Sequence, residues 1–170
     1  MIGKYHEHIE VMIVIGLVMT QPRVVICGVA RTPIGSFMGA LSSMTAIDLG
    51  VATVKELCAR TGIDPASGIV DEILFGQVLQ AGCGQNPARQ VALGAGLPVT
   101  TSAATVNKVC GSSLEAAMMA ANSIIAGNSR VIIAGGMESM SNAPQLLTCL
   151  LYTSDAADEG LGVDLGGRRI

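Results

Sequence analysis

Apolar residues in the middle of the chain alternate between short β-branched runs and longer segments with helical spacing. The runs at residues 24–29, 69–76, 100–106 and 130–134 are short and rich in Val, Ile or Thr, which is typical of buried strands. Three segments place apolar side chains three and four positions apart and therefore predict helices: residues 46–60, 86–94 and 112–125. The resulting order, β-α-β-α-β-α-β, is typical of an α/β layered fold with a mostly parallel sheet.

Turn-forming and capping residues set the expected ends of these elements. Residues 31–41 predict a loop between the first strand and the first helix, and Gly62 is expected to end that helix. For the helix at 112–125 we expect an N-cap at Ser112 or Ser113 and a stop at Gly127.

The helix at 112–125 has almost no charged face beyond Glu115. A helix that is apolar all round is expected to be buried on all sides. The whole chain of 170 residues is 50% hydrophobic and only 14% charged, with a mean hydropathy of +0.55. We therefore expect part of its surface to be covered by further protein.

Composition excludes several classes of function. A net charge of −3, with two Tyr, two Phe and no Trp, argues against a nucleic-acid partner, which requires basic patches and stacking rings. No run of 18 apolar residues is present, so we expect no membrane partner through a transmembrane helix. The cysteines are odd in number and lack metal-ligand spacing, which predicts neither a metal site nor a disulfide framework: Cys27, Cys58, Cys83, Cys110 and Cys149.

The N-terminal residues 1–22 do not follow the pattern of the middle of the chain. The apolar run at 11–19 has the length of a signal-peptide core, but two glutamates interrupt its basic flank and no small-x-small cleavage site follows. We interpret residues 1–22 as a leader or untranslated-region-derived extension outside the domain. Met19 is the expected natural start, which makes the first 18 residues translated leader, and a signal peptide is the alternative. The pair His6 and His8 is expected to be solvated rather than bound to a metal.

The C-terminal residues 148–170 are also atypical, because charge rises suddenly and no periodicity is present. We interpret this segment as sequence foreign to the fold, of the kind that an adapter or vector would encode. The alternative is a charged interaction tail.

Cys110 is the candidate nucleophile. It lies between the predicted strand at 100–106 and the predicted helix at 112–125, where unpaired N–H groups and the helix dipole stabilise a thiolate. Gly111 would let a substrate approach the backbone closely, and first-turn N–H groups could stabilise an oxyanion. Position alone leaves two interpretations open, an acyl-transferring nucleophile or an inert core thiol.

Four motifs follow one another along residues 23–147. They are VARTPIGSF at 29–37, GQVLQAGCGQNPARQ at 76–90, VNKVCGSSLEA at 106–116 and AGGMESMSNAP at 134–144. Together they closely resemble the thiolase family, nearest to its acetyl-CoA acetyltransferase branch. The resemblance implies a thiolase-like layered fold of which residues 23–147 are the incomplete N-terminal half.

The resemblance also implies an activity. It assigns to Cys110 the role of acyl-thioester nucleophile in condensing two acetyl-CoA to acetoacetyl-CoA, or in thiolysis of 3-ketoacyl-CoA. Coenzyme A thioesters would be substrates, so no cofactor-binding or metal residue is expected. Family members form homo-oligomers, tetramers or dimers, and occupy the cytosol, mitochondria or peroxisomes. The cytoplasm is the default for a chain that starts at Met19.

The chain departs from the family pattern in two ways. Ser113 stands where many members have Gly, and Glu115 where many have Lys. The later Asn-Glu motif, the Gly-His-Pro motif and a second catalytic Cys are absent, which predicts that the chain is inactive alone. Two alternatives remain: a non-catalytic interaction module, and a ketoacyl synthase acting on carrier-bound chains.

Other conspicuous residues receive structural interpretations. Glu138 is expected to support a loop through hydrogen bonds, with a site carboxylate as the alternative. Arg89 is expected to pair at a helix surface or interface rather than to bind phosphate. The remaining sulfur-containing side chains are interpreted as apolar packing groups: Cys27, Cys58, Cys83, Met118, Met119, Met137 and Met140.

Overall fold

The structure, a computed structural model, describes residues 6–7, 10–17 and 23–146, with side chains described for residues 23–146. The strands are β1 His6–Glu7, β2 Glu10–Leu17, β3 Arg23–Arg31, β4 Gly35–Ser36, β5 Glu72–Gly76, β6 Ser102–Val106 and β7 Val131–Gly136. The α-helices are α1 Ala46–Thr61, α2 Pro87–Gly94 and α3 Ser112–Ile125. The predicted α/β alternation is confirmed, and within the predicted loop at 31–41 the two residues of β4 pair with β1.

Five strands form the main sheet in the spatial order β3-β2-β7-β5-β6. The strands β7, β5 and β6 are mutually parallel, and β2 is antiparallel to both β3 and β7. The mostly parallel sheet is therefore confirmed, since only β2 runs against the other four.

The strand β2 lies in the segment that we interpret as a leader. It pairs Glu10–Leu17 with Arg23–Arg31 on one side, and residues 11–15 with residues 131–135 on the other. Sequence analysis assigned no strand there, although its Val and Ile residues favour extended backbone. The domain boundaries at 22 and 147 stay predictions, and the proposed foreign tail lies outside the described residues.

The sheet separates two apolar clusters. On one face α1 and α2 pack over the sheet, and on the other face α3 packs alone, which gives three layers. The largest fully buried side chains of the first cluster belong to Phe75, Leu49, Leu57, Ile73, Ile133 and Val54. The side of α3 that meets the sheet is lined with small residues, Ala116 and Ala120, which let the helix approach the strands closely.

The outer side of α3 is apolar and exposed. Leu114 is 69% exposed and Ile125 is 55% exposed. Met118 and Met119 are exposed as well, so interpreting them as core residues is wrong, because only one side of α3 contacts the sheet. The expectation that α3 is buried on all sides is therefore wrong for the described residues, and the covering of its outer face by further protein stays a prediction.

The ends of α1 and α2 follow ordinary capping rules. Thr45 and Asp48 form a capping box at the start of α1, and Gly62 at φ +71° ends the helix. Asn86, predicted as the first helical residue of α2, is instead its N-cap and accepts a hydrogen bond from the Arg89 amide.

The cap predicted for α3 is wrong. Its N-cap is Gly111, without a side-chain hydrogen bond, because the Ser112 hydroxyl bonds instead to the backbone of the preceding turn. Ala126 is the C-cap, and Gly127, the predicted stop, follows at φ +79°.

The strand β5 begins later than predicted because Asp71 serves as a backbone anchor. Its carboxylate accepts hydrogen bonds from the amides of Arg130 at 2.7 Å and Val131 at 3.1 Å. Its own amide donates to the Val131 carbonyl, and its carbonyl accepts from the Ser102 amide. Asp71 therefore aligns the starts of β5, β6 and β7.

Candidate active site

Cys110 lies in the short turn that joins β6 to α3, and its side chain is exposed. It immediately precedes Gly111, the N-cap of α3. The thiol therefore stands at the carboxyl edge of the parallel strands and at the amino end of a 14-residue helix. The thiol is exposed and lies at the positive end of the helix dipole, a position that suits a nucleophile.

A cleft of about 420 Å³ adjoins this thiol. Its walls come from the end of β5, from the start of α3 and from the residues that follow β7, including Cys110, Gln77, Leu79, Glu138 and Met140. Most of the cleft surface is apolar, which suits a short acyl chain better than a charged group.

Two glycines let α3 begin directly against the sheet. A Cβ at Gly76, the last residue of β5, would lie 2.5 Å from the carbonyl carbon of Ser112 and from the amide nitrogen of Ser113. A Cβ at Gly136, the last residue of β7, would collide with the Ser113 hydroxyl. The absence of side chains at these two positions lets Ser112 and Ser113 pack directly against the ends of β5 and β7.

The turn before Cys110 has an unusual backbone. Val109 has φ +50°, in the left-handed region that β-branched residues rarely adopt. Its amide donates to Asn107 Oδ1 at 3.0 Å, and its carbonyl accepts from Ser112 Oγ at 2.6 Å. The Lys108 amide donates to the same Ser112 hydroxyl at 2.8 Å.

Glu138 supports the facing wall of the cleft. Its carboxylate accepts hydrogen bonds from the amides of Val78 at 2.8 Å and Leu79 at 3.3 Å. The predicted loop-supporting role is therefore confirmed, and the side chain also lines the cleft beside Cys110. Burial raises the pKa of Glu138 above its usual range, and the two amide hydrogen bonds offset part of that shift.

An ion pair lies beside the turn. Lys108 Nζ is 2.5 Å from Glu115 Oε2, and the lysine side chain is largely exposed. Glu115 thus pairs with the lysine that lies two residues before the candidate nucleophile. The amino end of α3 places the positive end of the helix dipole beside Cys110.

Gln77 is a buried amide that sequence analysis missed. Its Nε2 donates to the Leu79 carbonyl at 3.2 Å and to Cys83 Sγ at 3.3 Å, whereas its Oε1 has no partner in the described part of the chain. It lies between the Cys110 cleft and a second cleft of about 270 Å³, and lines both.

Sequence analysis also missed Asn107 and Ser112 as site residues. Asn107 directly follows the predicted strand at 100–106 and Ser112 begins the predicted helix, and the sequence gives no further hint because their partners are backbone atoms. The hydrogen bond from Asn107 Nδ2 to the Val78 carbonyl, at 3.1 Å, joins residues 29 positions apart.

Several other assignments need correction. Arg89 donates to the carbonyls of Thr101 at 2.6 Å and Val99 at 2.8 Å, so it braces the loop before β6 instead of pairing at an interface. Cys58 is buried as predicted, but Cys27 is exposed because it lies on the edge strand β3. Cys83 is half-buried and hydrogen-bonded.

The α/β fold and the motif around Cys110 can be compared with those of known protein families. The family described as Thiolase, N-terminal domain, matches residues 24–160. The chain therefore belongs to the thiolase family.

Three curated relatives show the extent of the similarity. The chain is 54% identical over 140 residues to the cytosolic acetyl-CoA acetyltransferase ERG10 of Gibberella zeae, covering 82% of this chain and 35% of the relative. Identity to acetyl-CoA acetyltransferase 1 of Arabidopsis thaliana is 51%, over 75% of this chain and 30% of the relative. Identity to a probable acetyl-CoA acetyltransferase of Escherichia coli is 49%, over 86% of this chain and 35% of the relative. The chain thus spans about a third of the length of these relatives.

In the part of the chain that the structure describes, no helix has both the length and the apolar character needed to cross a membrane.

Proposed function

We propose that this chain is the N-terminal part of a thiolase-type acyltransferase in which Cys110 accepts the acyl group of an acyl-CoA thioester. The observation that carries the proposal is the exposed Cys110 thiol at the amino end of α3, beside an apolar cleft. Relatives named acetyl-CoA acetyltransferase at about half identity support acetyl-CoA as the substrate.

The first step is a thioester exchange. The Cys110 thiolate attacks the carbonyl carbon of acetyl-CoA, and the resulting oxyanion collapses as the bond to the coenzyme A sulfur breaks. Coenzyme A leaves as a thiolate and takes up a proton, and the acetyl group stays on Cys110 as a new thioester. Because one thioester replaces another, the step is close to energetic balance.

The second step would form a carbon–carbon bond between the acetyl group on Cys110 and the enolate of a second acetyl-CoA. Forming that enolate requires a base. The histidines of the chain are His6 and His8, both in the segment interpreted as a leader. We therefore propose that this chain acylates slowly and does not condense, and that the missing base belongs to the part of the family subunit that this chain does not cover.

The experiment is site-resolved acetylation. The 170-residue chain is incubated with acetyl-CoA, digested, and the acetylated cysteines are quantified by mass spectrometry. We expect acetylation at Cys110 to exceed that at the exposed Cys27, to vanish in Cys110→Ser and to persist in the matched control Cys27→Ser. Equal acetylation of the two cysteines in the wild-type chain would contradict the proposal.

A second candidate function is a non-catalytic interaction module. The exposed apolar side of α3, where Leu114, Met118 and Ile125 are all at least half exposed, favours it. Analytical ultracentrifugation of wild type and Cys110→Ser discriminates the two, because self-association independent of Cys110, without acetylation, would support the module.

Assembly and location follow from the same proposal. We propose a homo-oligomer, tetramer or dimer, for the full-length subunit, and a cytoplasmic location, supported by the printed name of the Gibberella zeae relative. Gel filtration of the full-length product and fractionation of the source cells test these two statements.

A further inference from the structure

The strained residue next to the candidate nucleophile is Val109. Its φ of +50° places a β-branched residue in the left-handed region, which is sterically costly unless the surroundings impose it. The Val109 side chain is 64% exposed, so side-chain packing does not hold it there. Hydrogen bonds to its backbone must do so.

Two side chains and one backbone amide supply those bonds, the amide being that of Ser112, which donates to the Val109 carbonyl at 3.1 Å. Asn107 Oδ1 accepts from the Val109 amide at 3.0 Å, the two-residue Asx turn that asparagine forms readily. Ser112, which is buried, donates through its hydroxyl to the Val109 carbonyl at 2.6 Å. The peptide groups on both sides of Val109 are therefore fixed, and the carbonyl side of Val109 leads directly into Cys110.

Asn107 has a second function in the same geometry. Its Nδ2 donates to the Val78 carbonyl at 3.1 Å, and the Val78 amide in turn donates to the Glu138 carboxylate at 2.8 Å. One amide side chain thus connects the turn that carries Cys110 to the opposite wall of the cleft. The turn and the wall are held at a fixed distance through three consecutive hydrogen bonds.

We propose that Asn107 is a positioning residue for Cys110, which holds Val109 in the left-handed conformation and so keeps the thiol at the start of α3 and facing the cleft. The inference rests on the proposed function in taking Cys110 as the nucleophile. Without the Asn107 bonds, Val109 relaxes toward negative φ, which turns Cys110 away from the helix N–H groups.

The chain contains its own reference thiols for a test. Cys110 reports the site, the exposed Cys27 reports the reactivity of an unconstrained thiol, and the buried Cys58 reports unfolding. The probe is iodoacetamide, and site-resolved alkylation rates are measured by mass spectrometry in the 170-residue chain. The measured quantity is the ratio of the Cys110 rate to the Cys27 rate.

Asn107→Ala removes both hydrogen bonds and is expected to lower this ratio roughly fivefold or more, since a thiol turned away from the start of α3 loses its orientation and the favourable potential of the helix end. Asn107→Ser keeps a hydroxyl acceptor for the Val109 amide but cannot reach Val78, and is expected to lower the ratio only about twofold. The exposed Asn122→Ala on α3 is the matched control and is expected to leave the ratio unchanged.

Val109→Gly provides the decisive background, because glycine adopts positive φ without steric cost. In that background Asn107→Ala is expected to lower the ratio less than about twofold, since the strain that Asn107 opposes is gone. A merely structural role for Asn107 predicts a larger loss of the ratio in the Val109→Gly background, because glycine adds flexibility to an already weakened turn. An equal loss in both backgrounds, or an unchanged ratio in Asn107→Ala, would overturn the proposal.

Two controls separate the possible failures. If Cys58 becomes labelled in Asn107→Ala, that variant has unfolded. Asn107→Ser then replaces it, and its Cys110-to-Cys27 rate ratio is compared between the wild-type and the Val109→Gly backgrounds, where a smaller loss in Val109→Gly is again expected. Acetylation by acetyl-CoA, measured in parallel, tests the proposed function: equal acetylation of Cys110 and Cys27 removes that function and leaves the alkylation result for Asn107 intact.

Discussion

Gly76 and Ser112 are in backbone contact across the junction of β5 and α3, so close that a methyl group on Gly76 would lie 2.5 Å from the Ser112 carbonyl carbon. The contact is between main chains, so no side-chain rotation relieves it. Gly76→Ala should therefore force α3 away from the sheet and destabilise the chain by about 2 kcal/mol or more. Urea unfolding followed by circular dichroism measures the change.

The control for this substitution is Gly127→Ala. Nothing lies within 4 Å of a Cβ there, but φ is +79°, so we expect a loss of about 1 kcal/mol from backbone strain alone. Gly76→Ala should also slow alkylation of Cys110 relative to Cys27, because the start of α3 moves. Equal losses of unfolding free energy in Gly76→Ala and Gly127→Ala would contradict the claim that the close contact between Gly76 and Ser112 makes Gly76 essential.

Glu138 should make stability depend on pH. Its pKa is raised in the folded chain above the usual value near 4.5, so the folded state holds its proton more tightly than the unfolded state. The associated stabilisation is complete below that usual value and is lost as pH rises through the raised pKa. As the pH rises from the usual value through the raised pKa, Glu138→Gln, which stays neutral, should lose less stability than wild type.

Thermal unfolding at about pH 4.5 and about pH 7.5 measures this difference. Glu72, whose pKa burial also raises, is common to both proteins and cancels in the comparison. The exposed Glu56→Gln serves as the matched control, since its partner Arg60 lies at the surface. Identical pH dependence in wild type and Glu138→Gln would contradict the assignment.

Asp71 should contribute far more to stability than its ion pair suggests. Asp71→Ala leaves the amides of Arg130 and Val131 without their carboxylate acceptor and should cost about 2 kcal/mol. The contact between the Arg130 guanidinium and Asp71 is 3.9 Å long and exposed, so Arg130→Ala should change the free energy of unfolding by less than about 0.5 kcal/mol. Urea titrations of both variants provide the test, and comparable losses would locate the stabilisation in the ion pair instead.

The capping box of α1 predicts a further pH effect of opposite sign. Hydrogen bonds from the Thr45 side chain and backbone lower the pKa of Asp48 in the folded chain. This stabilisation is present above the usual pKa of 3.8 and is lost as pH falls through the lowered value. Thr45→Ala should cost about 1 kcal/mol near neutral pH, and less in acid.

Melting curves at about pH 7 and about pH 3 follow this change. Ser43→Ala, at an exposed position before the cap, is the comparison variant. A loss of stability that is the same at both pH values would mean that Thr45 does not lower the pKa of the Asp48 carboxylate.

Periodicity and turn residues predicted the three α-helices and the strands β3, β5, β6 and β7, because each depends on its own sequence, whereas β4 was missed. The span of α3 is as predicted, whereas its cap is not, since Ser112 bonds to a turn that the pattern does not describe. The late start of β5 depends on Asp71 meeting β7, about 60 residues away. Such contacts are set by the sheet rather than by local propensity.

For the candidate site too, local sequence predicted some residues, whereas contacts set by the fold were missed. Cys110 was identified by position and motif, and its catalytic role stays a prediction. Asn107 was not identified, because its Val78 partner is brought near only by the packing of β5 beside β6. Glu138 was correctly interpreted as a loop support, yet its place beside Cys110 required the fold.

The position of β2 bears on how this protein should be produced. The outer strand β3 reaches the rest of the main sheet only through the backbone of Glu10–Leu17. A recombinant product that starts at Met19 would leave the inner edge of β3 and the adjoining edge of β7 with open hydrogen-bonding groups, a template for pairing between molecules. The apolar N-terminal run would then determine whether a preparation stays dispersed or forms aggregates.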